Sequence, residues 1–294
     1  MSLVSESFLL GLIGSGITGS FTPPMHERAA ELLGIRLLYR PLDIDSLGPN
    51  HSAYTAEECG ELLERGFELG FNGFNVTHPC KQLVMDYLDV VSEDALSLGA
   101  VNTVVLRDGV IHGYNTDHIG FRAGLKSGLA GRPLGRVVQL GAGGAGAATA
   151  HALMTCGAEE LLIFDPDQAK ADEAVNRIAR AFPAGNVRKL APQDVESQVL
   201  TAQGIVNATP IGMHHHPGSP IPTGLIGSHH WVADVIYLPM ETPLITTARA
   251  QGATVVPGGE MAVGQAVAAF ELFTGQRPDA TAMLDCFREL LARP

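Results

Sequence analysis

A chain of 294 residues is long enough for about two domains and for an apolar core that needs no disulfide or metal to hold it. Hydrophobic residues make up 46% and charged residues 17%, which excludes an intrinsically disordered chain and fits a soluble globular α/β protein. The formal net charge of −12 excludes nucleic acid and anionic membrane as main partners, and an anionic small molecule would have to be held by local donors.

The four cysteines, at positions 59, 80, 156 and 286, form no CxxC pair, so a reduced, cytoplasmic compartment is expected. The apolar run 8–13 lacks a basic segment before it and is followed by Gly14, Gly16 and Gly19, unlike a secretory leader. No apolar run reaches the roughly 18 residues of a membrane helix.

In chain order, 8–13 reads as a strand, followed by a Gly/Ser/Thr loop and a helix over 24–33 stopped by Gly34. Residues 37–42 form a second strand. Thr55, with Glu58 three residues on, spells a capping box for a helix that Gly70 ends. A strand over 71–76 then turns at His78-Pro79 into a helix over 81–88. Strands 101–107 and 110–115 flank Asp108-Gly109, a two-residue hairpin signal. Pairing 107 with 110 sets Asn102 opposite Asn115, and period two then predicts Asn102, Asn115 and Asp117 on one face of the hairpin's open end.

A new unit is expected to start near 131. It holds a strand over 136–141, a small-residue helix over 143–155, a strand over 160–164, a helix over 168–182, and strands over 204–208 and 231–237. Strands spaced by helices predict a parallel, doubly wound sheet. Helices over 262–274 and 281–291 close the chain.

Gly141-Ala142-Gly143-Gly144-Ala145-Gly146 matches GxGxxG directly after a strand and at the start of a helix. Glycines there make a tight turn and let backbone N–H groups and the helix N-terminus approach a pyrophosphate. The next strand ends in Asp165, followed by Pro166 and Asp167 with no arginine. An acidic residue at that place accepts hydrogen bonds from the adenosine ribose hydroxyls and repels a 2′-phosphate, so the expected cofactor is NAD, with NADP disfavoured.

Four polar clusters occupy the first half: Ser20-Phe21-Thr22-Pro23, Asn75-Val76-Thr77-His78-Pro79-Cys80-Lys81, Val101-Asn102-Thr103 and Asn115-Thr116-Asp117. Singly they read as an N-cap, a turn with a surface lysine, a strand start and a plain turn. Histidines at 214–216 and 229–230 lack acidic or cysteine ligands at metal spacing, so they read as solvated loop and no metal is expected.

Taken together and in order, these motifs resemble the shikimate dehydrogenase family. Gly99-Ala-Val-Asn-Thr103, Gly113-Tyr-Asn-Thr-Asp117, Asn207-Ala-Thr209-Pro-Ile-Gly-Met213, Asp234-Val-Ile-Tyr237-Leu-Pro-Met-Glu-Thr-Pro-Leu244 and Met261-Ala-Val-Gly-Gln265 complete the set. The resemblance implies an α/β architecture: an N-terminal α/β substrate-binding catalytic domain over 1–118 and a doubly wound Rossmann-type NAD-binding domain over 119–256. C-terminal helices over 257–294 would pack back on the first domain. It implies that Ser20 and Thr22 bind a substrate carboxylate, and that Thr77, Asn102, Tyr237 and Gln265 hold carboxylate and ring hydroxyls. The glycine loop with Asp165, Asn207, Thr209 and Met213 would hold the cofactor. Lys81 and Asp117 would flank the hydroxyl that becomes a ketone.

The implied activity is an NAD-dependent oxidoreductase that interconverts shikimate and 3-dehydroshikimate, or quinate and 3-dehydroquinate. It would serve aromatic amino acid biosynthesis or quinate catabolism, as a monomer or homodimer. Hydride leaves the carbinol carbon, so the hydroxyl has to lose its proton. An ammonium beside that oxygen stabilises developing negative charge, and a neutral amine accepts the proton. A free lysine titrates near about 10.4; a neighbouring Asp117 raises it and desolvation lowers it. Both roles for Lys81 stay open.

Thr22 stands where serine is usual, His78 where an apolar residue is usual, and Ala262 where leucine is common. With Asp165, these resemble the NAD-dependent quinate/shikimate dehydrogenases. Quinate carries a tertiary hydroxyl beside its carboxylate, which a change at Thr22 suits. The alternatives are a dehydrogenase of another cyclic hydroxy acid such as aminoshikimate, or a non-catalytic NAD-binding sensor on the same fold. An intact Lys81/Asp117 pair disfavours the sensor.

Overall fold

The computed structural model describes residues 7–47 and 53–292. Two compact units result: one holds the chain up to Thr116 together with the segment from Gln265 onward, the other holds Asp117–Gly264. The boundaries thus fall at 116/117 and, inside a helix, at 264/265. The outermost residues of the expected first and last domains lie outside the described residues.

In the first unit β1 (Ser7–Gly14), α1 (Thr22–Leu32), β2 (Arg36–Asp43), α2 (Cys59–Glu68) and β3 (Gly73–Val76) alternate. The short β4 (Val90–Val91), α3 (Glu93–Leu98), β5 (Thr103–Arg107) and β6 (Val110–Tyr114) follow. The strands lie in the order β2-β1-β3-β5-β6-β4. β1 runs parallel to β2 and β3, whereas β5 is antiparallel to β3 and β6. The capping box forms as the spacing requires, Thr55 N–H donating to Glu58 Oε2 at 2.7 Å. Asp108 and Gly109 both take positive φ, 50° and 78°, as a type I′ turn between Arg107 and Val110 demands.

One expected helix is corrected. Residues 81–88 hold no α-helix but a 3₁₀ segment, Leu83–Tyr87. The cause is local: the Lys81 carbonyl accepts from Val101 N–H at 2.9 Å, so it is withdrawn from the helical ladder, and bonds such as Met85 N–H to Gln82 O take over.

The second unit opens with α4 (Asp117–Leu129), ahead of the expected start near 131. β7 (Arg136–Leu140), α5 (Gly144–Thr155), β8 (Glu160–Phe164), α6 (Gln168–Ala181), β9 (Val187–Lys189), α7 (Val195–Thr201) and β10 (Gly204–Asn207) follow. β11 (Trp231–Asp234), α8 (Pro243–Ala250) and β12 (Thr254–Val256) complete it. All six strands are parallel, in the order β12-β11-β10-β7-β8-β9, the doubly wound arrangement. Alternate residues feed two apolar layers: Val137, Leu161, Ile163 and Val206 face one, and Val138, Leu140, Leu162 and Ile205 the other.

α9 (Gly258–Thr274) and α10 (Ala280–Leu291) end the chain. From Gln265 onward they belong to the first unit. Phe287 meets Phe21 edge-on at 5.8 Å, and the Phe273 ring occupies the space a Cβ on Gly73 would need, at 2.6 Å. No helix among the described residues is long and apolar enough to cross a membrane.

Candidate functional site

In the first unit several strand ends lie level at one end of the sheet. The registers Ile13↔Val76, Asn75↔Thr103 and Thr103↔Tyr114 bring the ends of β1, β3 and β6 level with the start of β5. Ser20, Thr22, Thr77, Lys81, Asn102 and Thr116 all sit on segments that leave or enter the sheet there.

Gly14 allows the closest of these approaches. A Cβ on it would lie 2.4 Å from Thr77 Cγ2 and 3.0 Å from the His78 carbonyl. Ser15 N–H donates to His78 O at 3.1 Å and Thr77 N–H to Ile13 O at 2.9 Å, so the hydroxyl-rich loop lies against the lysine-bearing turn. Asp43, buried at the end of β2, pins that loop by accepting from Gly16 N–H (3.1 Å) and Ile17 N–H (2.9 Å). Ser20 Oγ accepts from Thr22 N–H at 3.2 Å, and both residues are half-buried. Lys81 is half-buried, with its backbone fixed by Val101. Cys80 beside it is no candidate nucleophile: its hydrogen bond with Cys59 and its burial push the thiol up.

Behind this end runs a buried polar chain. Tyr39 Oη donates to Asn75 Oδ1 at 2.7 Å, and Asn75 Nδ2 donates to Thr103 Oγ1 at 3.0 Å and to the Asn102 carbonyl at 3.1 Å. Thr103 Oγ1 donates to Asn102 Oδ1 at 2.9 Å. Asn102 Nδ2 donates to Thr116 Oγ1 at 3.0 Å, and Thr116 N–H returns a bond to Asn102 Oδ1 at 2.7 Å. Thr116 Oγ1 makes a long contact of 3.5 Å with Gln265 Oε1.

The register expected of the hairpin forms, Arg107 pairing with Val110, but the strand pairing does not extend to Asn102 and Asn115. β6 ends at Tyr114, so period two stops there. Asn102 meets Thr116 instead, Asn115 Nδ2 donates to the Ala100 carbonyl at 2.9 Å, and Asp117 is already the first residue of α4. A carboxylate in that first turn is favoured by the positive end of the helix dipole. Asp117 and Tyr237 lie in the second unit, Ser20, Thr22, Thr77, Lys81, Asn102 and Gln265 in the first. Tyr237 is half-buried and its phenol is pushed up by burial, so it stays a neutral donor at ordinary pH.

In the second unit β7 and β10 are neighbours although β8 and β9 intervene in sequence, and such a switch point is where doubly wound sheets bind ligands. Gly141 follows β7 with φ 102°, and a Cβ there would lie 2.7 Å from the Ala208 carbonyl after β10. Gly146 is equally constrained, its Cβ position being 2.4 Å from Gly141 O. Gly143 and Gly144, by contrast, have nothing within 4 Å, and Gly143 N-caps α5 with no side chain bonded to the first-turn N–H groups. An open, uncapped helix N-terminus on a glycine turn fits a pyrophosphate; Ala142 and Ala145 are half-buried within it.

Gln139 braces the turn from inside β7. Its Nε2 donates to Gly141 O (3.0 Å) and Gly146 O (2.9 Å), and its Oε1 accepts from Thr149 Oγ1 (2.9 Å). Asp165, at the end of β8, accepts from Ala142 N–H at 2.9 Å and from Asp167 N–H at 2.9 Å. Its carboxylate is therefore tied to the glycine turn. Asn207 spends its amide on the loop after β10, accepting from Thr209 N–H (3.0 Å) and Oγ1 (2.7 Å) and donating to Ile211 O (3.1 Å) and Asp234 Oδ1 (3.0 Å). Asp234 also accepts from Ile236 N–H and Thr242 Oγ1. Burial pushes its carboxyl up to about 6 against those three donors. Met213 is exposed at the far end of this loop, beside the exposed histidines 214–216, and no metal-binding cluster occurs among the described residues.

Asp43, Gln139 and Tyr39 belong to none of the motifs in the sequence, and Thr103 appears there as a motif residue without a role of its own. Only Gln139 carried a signal, as a polar residue inside a strand that otherwise reads as buried on both faces.

Two α/β units, one with a polar end and one with a doubly wound nucleotide fold, define a dinucleotide-dependent class of protein. Its family follows from comparison with known proteins. Residues 12–104 match the family model described as the shikimate dehydrogenase substrate binding domain, and residues 258–285 match that of the shikimate 5′-dehydrogenase C-terminal domain. A shikimate dehydrogenase (NADP(+)) of Arthrobacter sp. (strain FB24) is 49% identical over 99% of this chain and 98% of its own. A quinate/shikimate dehydrogenase (NAD(+)) of Corynebacterium efficiens is 45% identical over 97% and 99%. The solved quinate dehydrogenase from Corynebacterium glutamicum, in complex with NAD, superposes with a TM-score of 0.91 at 44% identity, covering 96% of this chain and 99% of that one. The chain belongs to the shikimate dehydrogenase family.

Proposed function

We propose that this protein is an oxidoreductase that interconverts shikimate with 3-dehydroshikimate, or quinate with 3-dehydroquinate, using NAD. What carries the reading is full-length similarity to dehydrogenases of those names, at 45–49% identity, in a chain that keeps the lysine turn and the glycine turn.

The relatives divide on cofactor, NADP(+) at 49% identity and NAD(+) at 45%. Asp165 supports NAD. A 2′-phosphate at the end of β8 would meet its carboxylate, and 166–168 supply no arginine to offset it. The nicotinamide nucleotide supplies the hydride acceptor. Gly141, Gly143, Gly144 and Gly146 make the pyrophosphate turn, with Ala142 and Ala145 in it, and Asn207, Thr209 and Met213 shape the loop beside it.

The chain's own residues do the rest. Ser20 and Thr22 offer neutral hydroxyl donors to the substrate carboxylate, which suits loops without arginine. Thr77, Asn102, Gln265 and the neutral phenol of Tyr237 hold the remaining oxygens. Lys81 and Asp117 flank the hydroxyl that becomes the ketone, and Lys81 stabilises negative charge on that oxygen or takes its proton.

Purified protein mixed with quinate or shikimate and NAD or NADP, followed at the reduced-nicotinamide absorbance, ranks both substrate and cofactor. Signal with at least one pair, strongest with NAD, is the expected result; silence with all four rejects the reading. Lys81→Ala should cut turnover by on the order of 10²-fold or more. A variant that kept most of the wild-type turnover would remove Lys81 from the chemistry.

A further inference from the structure

We propose that Tyr39, Asn75 and Thr103 are positioning residues that fix which way the amide of Asn102 faces, and so make that amide a hydrogen-bond donor to substrate. The inference rests on the reading of Asn102 as a substrate-holding residue.

The chain has a direction. A hydroxyl has one proton and two acceptor sites, and an amide has separate donor and acceptor ends, so each link constrains the next. Tyr39 Oη can satisfy Asn75 Oδ1 only as a donor, which turns Asn75 Nδ2 toward Thr103. Thr103 Oγ1 then accepts from Asn75 and has its own proton to give to Asn102 Oδ1. With Oδ1 also accepting from Thr116 N–H, the Asn102 carbonyl oxygen is turned into the protein. Any bond Asn102 makes toward a ligand is therefore a donated one, which selects hydroxyl and carboxylate oxygens. Reversing the Asn102 amide would set Nδ2 against the Thr116 N–H, two donors face to face.

Tyr39 is 4% exposed within a cluster of Leu10, Leu12, Ile17 and Phe273. Phenylalanine would fill that apolar setting as well, so the hydroxyl acts through Asn75. Asn75, Asn102, Thr103 and Thr116 are all buried, where water cannot replace a lost partner and linked bonds reinforce one another. The same chain reaches Gln265 through Thr116, and Thr116 precedes Asp117.

The experiment compares Thr103→Val, nearly isosteric but without the hydroxyl, with Thr103→Ser, which keeps it, and with Tyr39→Phe. Steady-state kinetics are run against shikimate and against the nucleotide, with melting temperature recorded alongside. The chain predicts that T103V raises the shikimate KM about tenfold, that T103S stays within about threefold of wild type, and that Y39F falls between them. The nucleotide KM stays within about twofold in all three. A shikimate KM unchanged in both T103V and Y39F overturns the proposal, as does an equal loss in T103V and T103S, which would report packing alone. If T103V does not fold, Y39F decides the matter by the same split between the two KM values. Asn102→Ala is the control for the underlying reading: an unchanged shikimate KM there removes Asn102 from the substrate site, and the proposal with it.

Discussion

On the inner side of α1, His26 lies fully buried against the rings of Tyr39, Phe270 and Phe273, with centroids 5.1, 5.8 and 5.9 Å away. Among the described residues, neither ring nitrogen has a hydrogen-bond partner. A neutral imidazole needs one donor and one acceptor partner, so this site already costs stability, and a proton there would cost more. Burial pushes the pKa down to about 3 from an ordinary 6.5. The folded state thus binds the proton less readily than the unfolded one. Stability is unaffected well above pH 6.5 and falls as pH drops through 6.5 toward 3. His26→Leu, of similar volume and without the nitrogens, should be at least as stable as wild type at pH 7.5. Its advantage should widen by roughly 1.4 kcal/mol by about pH 5.5. Urea unfolding at the two pH values measures this, and a gap that stayed constant would mean that His26 takes up its proton without unfolding. The helix concerned begins at Thr22, so the loop that carries Ser20 inherits whatever stability α1 has.

At the scale of elements, the glycine turn separates two reasons for a missing side chain. Gly146 lacks a Cβ because the Gly141 carbonyl is 2.4 Å from where it would be, and that neighbour is backbone. Gly143 has open space and an ordinary extended φ of −72°, so nothing in the protein forbids alanine. Gly146→Ala should therefore lose both folding stability and nucleotide binding. Gly143→Ala should cost at most about 1 kcal/mol of stability, as an N-cap change, while nucleotide affinity falls. Thermal melts with titrations of NAD separate the two. Normal NAD affinity in a folded G143A protein would mean that the pyrophosphate does not sit on the α5 N-terminus. Legibility in the sequence followed the same physics. β8 could be read from its apolar run because a parallel strand is buried on both faces, and the hairpin from Asp108-Gly109 because few residues tolerate those dihedrals. α4 was hidden because Gly120, Gly124 and Gly128 lower its helix propensity. Two of those glycines make room for close packing: a Cβ on Gly128 would meet Val256 at 2.8 Å, and Gly120 lies under Gly264. The candidate site was legible as a set of motifs, but not the bonds that orient them, since Tyr39 and Asn75 are brought together only by the sheet order.

For the molecule as a whole, charge decides how ligands arrive. Asp and Glu number 31 against 19 Lys and Arg, while both proposed ligands, a carboxylic acid and a dinucleotide, are anions. The overall field repels them. On the proposed function, recognition falls to short-range donors that work irrespective of that field: the Ser20 and Thr22 hydroxyls, the Asn102 amide and the backbone N–H groups of the glycine turn. Added salt shortens the screening length from about 30 Å near 0.01 M to about 8 Å near 0.15 M. It should weaken the repulsion while leaving hydrogen bonds at contact distance largely intact. The ratio kcat/KM for shikimate should therefore rise by a small factor over that range, the reverse of an enzyme that steers anions with a basic funnel. Initial rates at low substrate in a series of NaCl concentrations test it. A steep fall with salt would show that local positive charge, with Lys81 the foremost candidate, outweighs the net charge of −12 at the point of entry.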